Sequence, residues 1–208
     1  MARPRSAGFV DLREQMLAAA AQLFASQGYT ATTMKQVAAA CGVSKATLYH
    51  YVADKHDLLA QITGDHVARL ERLVLDVRRQ RLPPQPRLQA LIERFMQAYA
   101  NAANAHRVLT EDVKFLAAAD REEVLAGQRR VVAAFASAVV ALRPDLRRAA
   151  LHKPLAMLLF GMMNWTFTWL RPGGALDHAT LAPLISALFF GGIDAVVAAP
   201  TPRAPRRG

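Results

Sequence analysis

A short stretch near the N-terminus, GVSKATLYHYVADK, gathers side chains that suit contact with nucleic acid. Lys45 can donate to a guanine or to a phosphate, and Thr47 offers a hydroxyl and a methyl group. The hydroxyl of Tyr49 and the imidazole of His50 are donors of the kind that hold phosphates. Lys55, a few residues further on, supplies another cation for a phosphate. The types and spacing of these residues therefore predict a surface that contacts double-stranded DNA.

Two short helices joined by a turn would present these side chains. Thr33, followed by Gln36 three residues later, is a capping-box pattern that predicts the start of a helix over about 34–40. Gly42 then supplies the turn, because glycine adopts positive φ without strain. Ser44 is a favourable N-cap for a second helix that ends near residue 51. This arrangement matches the helix-turn-helix description.

The inward and outward sides of the unit follow from residue type. The apolar side chains predicted to hold the unit together are Val37, Ala38, Val43 and Leu48. The side chains left on the outer side of the second helix are Lys45, Ala46, Thr47, Tyr49 and His50. Alanine allows close approach of the backbone to DNA and can contact a thymine methyl group. The outer side is thus predicted to enter a major groove.

Helical periodicity covers most of the remaining chain, and β-branched runs are scarce. A first helix is predicted over about 11–27, ended by Gly28 in the left-handed conformation. Asp54 is a favourable cap for a fourth, long helix that reaches about residue 81. Pro154 should kink or divide one of the later helices. Beyond the break LPPQP, the predicted helices cover 87–103, 105–117, 121–142, 145–171 and 177–198.

Composition and charge narrow the class of protein. The chain has 208 residues, 53% of them hydrophobic, and a net charge of +10, which points toward an anionic partner. Residues 1–55 hold six basic and three acidic side chains, so the local arrangement, and not bulk charge, carries the prediction of DNA binding. Cys41 is the single cysteine, which excludes an intrachain disulfide. With no signal peptide visible, the predicted location is cytoplasmic.

The sequence gives little support for catalysis, metal binding or membrane association. No HExxH, CxxC, GxSxG or phosphate-loop pattern occurs, and the six histidines are scattered, so neither catalytic residues nor a metal site nor a resident cofactor is predicted. His106 has no evident partner in the sequence. The uncharged segment 155–170 is shorter than the ~20 residues that span a bilayer. It predicts a buried helix and no membrane partner.

The sequence TTMKQVAAACGVSKATLYHYVADKHDLL resembles the DNA-binding motif of the TetR/AcrR family of transcriptional repressors. FASQGYTATT, at the end of the first predicted helix, is similar to the family as well, and the resemblance covers about residues 11–60. It implies DNA-facing positions at Thr33, Ser44, Lys45, Ala46, Thr47, Tyr49, His50, Tyr51 and Lys55, and Lys35 is a further candidate.

The predicted fold is all-α, with an N-terminal three-helix helix-turn-helix DNA-binding domain and a larger C-terminal helical domain for ligand binding and dimerisation. We expect the first domain over 1–55, including a flexible basic arm over 1–9. The second is expected over 56–199, followed by a disordered tail over 200–208. The resemblance also implies a homodimer through the last two long helices, which would bind a near-palindromic DNA operator.

A second resemblance bears on the effector. LLFGMMNWTFTWLRPGG is similar to the acyl-CoA-responsive branch of the family, which implies a small-molecule effector such as an acyl-CoA. Aromatic side chains can line an acyl slot, and an arginine can meet the phosphates of CoA. The candidate ligand-binding residues are Phe95, Tyr99, Phe115, Met162, Trp165, Trp169 and Arg171.

Other interpretations stay open at this point. The protein could be a repressor of efflux genes that responds to lipophilic drugs. It could instead be a nucleoid-binding protein of the same fold without a ligand. A third alternative is a degenerate member that chiefly binds a small molecule. The helix-turn-helix sequence is compatible with each of these alternatives.

Overall fold

Every regular element in the described part of the chain is a helix. This computed structural model describes residues 7–171 and 173–197, with side chains from Leu12 onward. The helices are α1 Ala7–Gln27, α2 Met34–Ala40, α3 Lys45–Tyr51, α4 Lys55–Arg79, α5 Pro84–Asn101, α6 Ala103–Glu111, α7 Ala118–Leu142, α8 Asp145–Arg148, α9 His152–Asn164 and α10 His178–Ile193. Short 3-10 turns cover Val113–Phe115 and Trp165–Thr168. The predicted all-α fold is confirmed.

The chain forms two compact units that are not continuous in sequence. Unit 1 combines the described residues up to Arg69 with Ala102–Gly127, and unit 2 combines Leu70–Asn101 with the described residues from Gln128 onward. The two units are defined by which residues pack together, and not by function. The predicted functional boundary after residue 55 therefore stays a prediction.

Unit 1 is built around the inner faces of α1, α2, α3 and α4, with α6 packed on α1. Its largest fully buried side chains include Phe24, Met16 and Leu48. Gly28 ends α1 with a φ of 90°, as the sequence predicts. Helix α1 begins at Ala7, so residues 7–9 of the predicted arm are helical, and residues 1–6 lie outside the described residues.

Unit 2 has an aromatic core on which α5 and α10 pack against each other. The ring of Phe95 on α5 meets the ring of Phe135 on α7 edge-on, with 4.8 Å between centroids. Phe160 of α9 lies 4.6 Å from the same Phe135 ring. Arg143 closes the end of this unit, because its guanidinium donates to the backbone oxygens of Ile193 and Val196.

The segment 145–171, predicted as one helix interrupted by Pro154, is three elements. Helix α8 ends at Arg148, Ala150 has a φ of 56°, and α9 starts at His152. Pro154 is the third residue of α9, where a missing N–H leaves no intrahelical bond unmade. After Asn164 the backbone tightens into the 3-10 turn. The division therefore lies at residues 149–151, before Pro154 and not at it, and α9 also ends earlier than expected.

Two other helix predictions are too long. The predicted helix over 105–117 ends at Glu111 in the structure, where Asp112 begins a 3-10 turn. The predicted helix over 177–198 runs only from His178 to Ile193, and Asp177 is its N-cap. The predicted tail over 200–208 lies outside the described residues.

One helix, α7, is long and apolar enough by length and composition to cross a membrane. The core helix of a soluble protein passes the same test, and Phe135 and Val139 of α7 are buried in the core of unit 2. The apolar segment proposed from the sequence, 155–170, contains only the 13-residue α9 followed by the 3-10 turn.

Candidate DNA-binding surface and effector residues

Hydrogen bonds local to the chain shape the helix-turn-helix. The N–H of Gln36 donates to the Thr33 hydroxyl at 3.3 Å, and the side-chain oxygen of Gln36 accepts from the Thr33 N–H at 2.8 Å. This is the predicted capping box. Gly42 has a φ of 65° in the turn, and the N–H of Val43 donates to the Ala38 carbonyl. The N–H of Thr47 then donates to the Ser44 hydroxyl at 3.0 Å, which caps α3.

Buried anchors decide which side of α3 faces outward. Val37, Ala38 and Leu48 are buried, and Val43 is half-buried against the same core. Because α3 has only seven residues, it is too short to be stable alone and depends on this packing. Leu48 therefore fixes the rotation of the helix about its axis.

The opposite side of α3, which we call the reading face, carries the predicted DNA contacts. Its residues are Ser44, Lys45, Ala46, Thr47, Tyr49 and His50, of which only Thr47 is half-buried. The hydroxyls of Ser44 and Thr47 are 2.8 Å apart and share a hydrogen bond. One lone pair or proton of each hydroxyl is therefore engaged within the protein.

Lys45 and Tyr49 form a pair on the reading face. The Lys45 ammonium lies 5.5 Å from the centroid of the Tyr49 ring, one helical turn away. A cation over an aromatic face is attracted by the ring quadrupole. The ring thus holds the lysine along the helix surface, and the Tyr49 side chain is 43% exposed.

The remaining predicted DNA contacts divide by burial. Thr33 and Lys35 are exposed at the start of α2, although the Thr33 hydroxyl is already bonded to Gln36. Tyr51 is half-buried against the core of unit 1 and meets the His50 ring edge-on at 5.7 Å. The Tyr51 ring therefore contributes to packing as well as to the surface.

Lys55 has a different environment from the other candidates. Its ammonium donates to three backbone oxygens, those of Tyr29 at 2.9 Å, Thr30 at 3.2 Å and Thr32 at 3.0 Å. It also lies 4.5 Å from the centroid of the Tyr29 ring. We call the three oxygens the carbonyl cradle. The side chain is half-buried, in contrast to the exposed Lys45.

Tyr29 is a residue that sequence reasoning missed. Its buried ring stacks on Phe115 at 5.2 Å and meets Phe24 edge-on at 5.1 Å. Its hydroxyl lies 3.0 Å from Nδ1 of His56. Burial raises the pKa of Tyr29, and the nearby carboxylates of Asp54 and Asp112 raise it further. The one signal in the sequence is an aromatic residue directly after the glycine that ends α1.

A buried histidine pair links α4 and α6 in unit 1. Nε2 of His66 lies 3.3 Å from Nδ1 of His106, and both residues are buried. The pKa of His66 is lowered to about 4, mainly by burial and in addition by the nearby positive charge of Arg69. The partner of His106 that the sequence did not reveal is therefore 40 residues away on α4.

The predicted ligand-binding residues differ in burial and in the unit to which they belong. Phe95 and Tyr99 are buried in the core of unit 2, where the Tyr99 hydroxyl donates to Asn164 at 2.8 Å. Burial raises the pKa of Tyr99 strongly. Phe115 belongs to unit 1 and stacks on Tyr29. It therefore belongs to a different unit from the other candidates.

The candidates at the end of α9 lie at the surface of unit 2. Trp165 is 60% exposed and Trp169 is 51% exposed, and Arg171 is exposed as well. Met162 is half-buried against the core. Leu158 is exposed like Trp165, whereas Leu159 and Met163 are buried.

Exposed apolar side chains form a stripe on each of the last two long helices. The apolar stripes comprise Met157, Leu158 and Gly161 on α9 with Trp165 directly after it, and Leu184, Leu188, Gly191 and Gly192 on α10. The sequence holds no charged residue between Lys153 and Arg171 or between His178 and Asp194. A Cβ atom added at Gly161, Gly191 or Gly192 would meet nothing within 4 Å. Contacts within the chain therefore do not require these helical glycines.

The described ranges, 7–171 and 173–197, contain no cluster of side chains that suits a metal ion. No group of three or more His, Cys, Asp or Glu side chains there could hold a metal ion. Cys41 is half-buried, and burial raises the pKa of its thiol, which makes the reactive thiolate scarcer at neutral pH.

Comparisons with known proteins extend the likeness over nearly the whole chain. A TetR-family regulator from Bordetella parapertussis 12822 is 32% identical and covers 91% of this chain and 99% of its own, with a TM-score of 0.83. The transcriptional repressor KstR2 of Rhodococcus jostii RHA1 is 24% identical over 87% of this chain and 90% of its own. AibR, solved with isovaleryl coenzyme A and operator DNA, has a TM-score of 0.72 at 23% identity, covering 85% of this chain and 97% of AibR.

Family models match both parts of the sequence. Residues 16–62, which contain the helix-turn-helix, match the model described as bacterial regulatory proteins, tetR family. Residues 81–193, more than half of the chain, match the model described as tetracyclin repressor-like, C-terminal domain. With its capped helix-turn-helix and its outward reading face, this chain belongs to the TetR family of DNA-binding bacterial transcriptional regulators.

Proposed function

We propose that this protein is a cytoplasmic, homodimeric transcriptional repressor without enzymatic activity, which a small molecule releases from a near-palindromic operator. The observation that carries the proposal is the reading face of α3, a polar surface that is exposed because Leu48 is buried on the opposite side. Polar donors on a short helix suit a major groove, whereas they would gain nothing from a protein core.

The roles on the reading face follow from reach and exposure. Lys45 lies at the first position of α3 and is exposed, so its ammonium can contact base edges. Thr47 and Ala46 allow the backbone to approach the groove, and Tyr49 and His50 can donate to phosphates on the flanking strand. Tyr49 has a second role, because its ring holds the Lys45 side chain.

Dimerisation is supported by the apolar stripes of α9 and α10. Leu158 is 65% exposed and Leu188 is 71% exposed. No charged residue lies between Lys153 and Arg171 or between His178 and Asp194. Glycine inside a helix costs roughly 0.5–1 kcal/mol relative to alanine. Gly161, Gly191 and Gly192 would be explained by the close approach of a second copy. Two reading faces would then contact half-sites separated by about 34 Å or a multiple of that distance.

For the effector we propose a CoA thioester that binds to unit 2. AibR, a structural relative, was solved with isovaleryl coenzyme A. The two exposed tryptophans and Arg171 suit an adenine ring and phosphates, because aromatic faces stack on bases and guanidinium pairs with phosphate. The buried residues Phe95 and Tyr99 are kept as candidate walls for the acyl part.

The proposed mechanism is a shift between two states of the dimer. In one of these states the two reading faces are wrongly spaced for the operator. An effector that binds this state more tightly lowers the affinity for the operator by the ratio of the effector's affinities for the two states. Helix α4 is the proposed coupling element, because Lys55–Arg69 belong to unit 1 and the rest of the helix belongs to unit 2.

The test begins with a duplex selected from a random DNA pool by the full-length protein. Lys45→Ala should weaken binding by about 1–3 kcal/mol and relax the preference at one position of each half-site. Isovaleryl-CoA and longer acyl-CoAs are then titrated against the complex, with free CoA as the matched control. Release by an acyl-CoA and not by CoA supports the effector class.

The same titrations can overturn the proposal. If no duplex is enriched, or if Lys45→Ala binds as the wild type does, the reading face is wrongly assigned. Release by lipophilic cations and not by acyl-CoAs would favour control of efflux genes. An operator complex that no small molecule dissociates would favour a ligand-independent DNA-binding protein.

A further inference from the structure

We propose that Lys55 does not contact a DNA phosphate but is a positioning residue that fixes the loop between α1 and α2 against the start of α4. This inference rests on the proposed DNA-binding function, and it reassigns one of the residues predicted to touch DNA. Lys55 is the first residue of α4, and all three oxygens of the carbonyl cradle belong to the loop.

The donor capacity of the ammonium group is the first argument. A lysine ammonium has three N–H donors, and the cradle accepts from Lys55 at three oxygens between 2.9 and 3.2 Å away. A phosphate could be reached only if at least one of these bonds were broken. The bonds to the Tyr29 and Thr32 oxygens are partly buried, and loss of either would leave a backbone oxygen without its donor, which is unfavourable. Lys45 and Lys35, in contrast, are exposed.

The floor of the cradle is the second argument. The Tyr29 ring lies 4.5 Å below the ammonium and is held on other sides by Phe24 and Phe115. The Tyr29 hydroxyl lies 3.0 Å from Nδ1 of His56, the residue after Lys55. Two consecutive residues of α4 therefore hold Tyr29, one over the ring and one at the hydroxyl. Attachment at two points fixes the backbone of the loop at Tyr29. A lysine that only contacts a phosphate would not need this attachment.

The position of the loop shows what the attachment achieves. Thr32 closes the loop by donating from its N–H and its hydroxyl to the Gly28 carbonyl. The next residue, Thr33, caps α2. The cradle thus connects the start of α4 to the residue that starts the helix-turn-helix. Removal of the Lys55 ammonium should leave the reading face chemically intact but poorly positioned.

Salt dependence separates the two roles. The logarithm of the association constant falls with the logarithm of salt concentration, and each phosphate that the protein neutralises contributes about 0.9 to the steepness of that fall. A dimer carries two copies, so a phosphate-binding Lys55 would change the slope by about 1.8 in Lys55→Met. We expect Lys55→Met to bind the selected duplex at least about tenfold more weakly with the slope unchanged. Lys45→Met is the matched control with the same substitution on the reading face.

Lys55→Arg gives an independent readout. Arginine replaces lysine readily at a phosphate, but its planar guanidinium cannot direct three donors from one nitrogen into converging carbonyls. We therefore expect Lys55→Arg to be as defective as Lys55→Met. Amide hydrogen exchange of residues 28–33 in the free protein should be faster in both variants and unchanged in Lys45→Met.

Each outcome decides a separate point. A slope lowered by about 1.8 in Lys55→Met, or near wild-type affinity in Lys55→Arg with unchanged exchange in the loop, would overturn the inference. If Lys55→Met does not fold, Lys55→Arg and the exchange measurement still decide. If the wild type binds no duplex, the proposed function fails, while the exchange measurement still tests the attachment of the loop.

Discussion

The reading face of α3 and the apolar stripes of α9 and α10 are both exposed, but their chemistry is opposite. The reading face presents ammonium, hydroxyl and imidazole groups, and its shape depends on hydrogen bonds between residues three to five positions apart. The stripes present leucine, methionine, tryptophan and glycine without a charge. Water hydrates the first surface well and the second poorly, so the first suits a charged partner and the second suits a partner that remains bound.

These two surfaces are also built in different ways. The reading face is set by the buried Leu48 and the Ser44 cap, which hold a seven-residue helix in place. The stripes lie on the outer side of helices whose inner sides fill the aromatic core of unit 2. Disturbance of a cap should therefore have a local effect, whereas a charge placed on a stripe should affect the assembly.

The largest effect is expected for a charge on the stripes. Leu188→Glu should convert the proposed dimer to a monomer and abolish tight operator binding, because a carboxylate buried without a partner costs several kcal/mol and each ~1.4 kcal/mol is tenfold in affinity. Light scattering with size exclusion measures the mass. The matched control is Leu75→Glu on α4, where the leucine is also exposed, and a monomeric control or a dimeric Leu188→Glu would contradict the assignment of the stripes.

The next largest effect is expected for Leu48, the buried anchor of the reading face. Leu48→Ala should lower the free energy of unfolding by about 2–5 kcal/mol, because the side chain is fully buried and its removal leaves a cavity. Urea unfolding followed by circular dichroism measures the loss. Lys45→Ala should leave the stability within about 0.5 kcal/mol of the wild type while it weakens DNA binding. Equal stability losses in the two variants would remove the distinction between anchor and reading face.

The buried histidine pair of unit 1 predicts a pH dependence. His66 has a pKa of about 4 when folded and 6.5 when unfolded, so below pH 6.5 the unfolded chain binds more protons. Stability contributed by the neutral His66 is therefore complete above pH 6.5 and is lost as pH falls toward 4, by up to about 1.4 kcal/mol per pH unit.

Urea unfolding at several pH values between about 7.5 and 4.5 measures this dependence. His66→Gln should show a flatter profile in that range. A wild-type profile as flat as that of His66→Gln would contradict the prediction.

The smallest effect concerns the cap of α3. Ser44→Ala should lower the free energy of unfolding by about 0.5–2 kcal/mol, because the Thr47 N–H loses its side-chain acceptor. Ser26→Ala is the control, since Ser26 lies inside α1 and its hydroxyl makes a 3.4 Å bond to the Leu23 carbonyl. We expect this control to be neutral or slightly stabilising, because alanine is the better helix former. Equal effects of the two substitutions would show that the cap does not stabilise α3.

The helix-turn-helix was predictable residue by residue because its determinants are local. Thr33 and Gln36, Gly42 and Ser44 each act on neighbours within a few positions, and the structure confirms both caps, the positive φ and the bounds of α2 and α3. Residues of the C-terminal region were less predictable. Helical periodicity revealed neither the break at Ala150 nor the end of α9 at Asn164.

The candidate sites show the same limit. Lys55 carries the right charge at the right place in the sequence for a phosphate, yet its ammonium is occupied by three carbonyls more than 20 residues earlier in the chain. Phe115 reads as an apolar pocket wall, yet it stacks on Tyr29 in unit 1. A side chain's type states what it can bind, while its long-range partners decide what it does bind.

The sequence by itself determined the all-α class, the helix-turn-helix and the polar outer side of α3, because caps, glycine and hydrophobic periodicity act over a few residues. Only the tertiary structure decided that Tyr29 is enclosed by Phe24 and Phe115, that His66 meets His106, and that Leu158 and Leu188 point outward. Burial and long-range contact are properties of the packed chain. When a helix is apolar on all sides, its sequence does not indicate which side the core will cover.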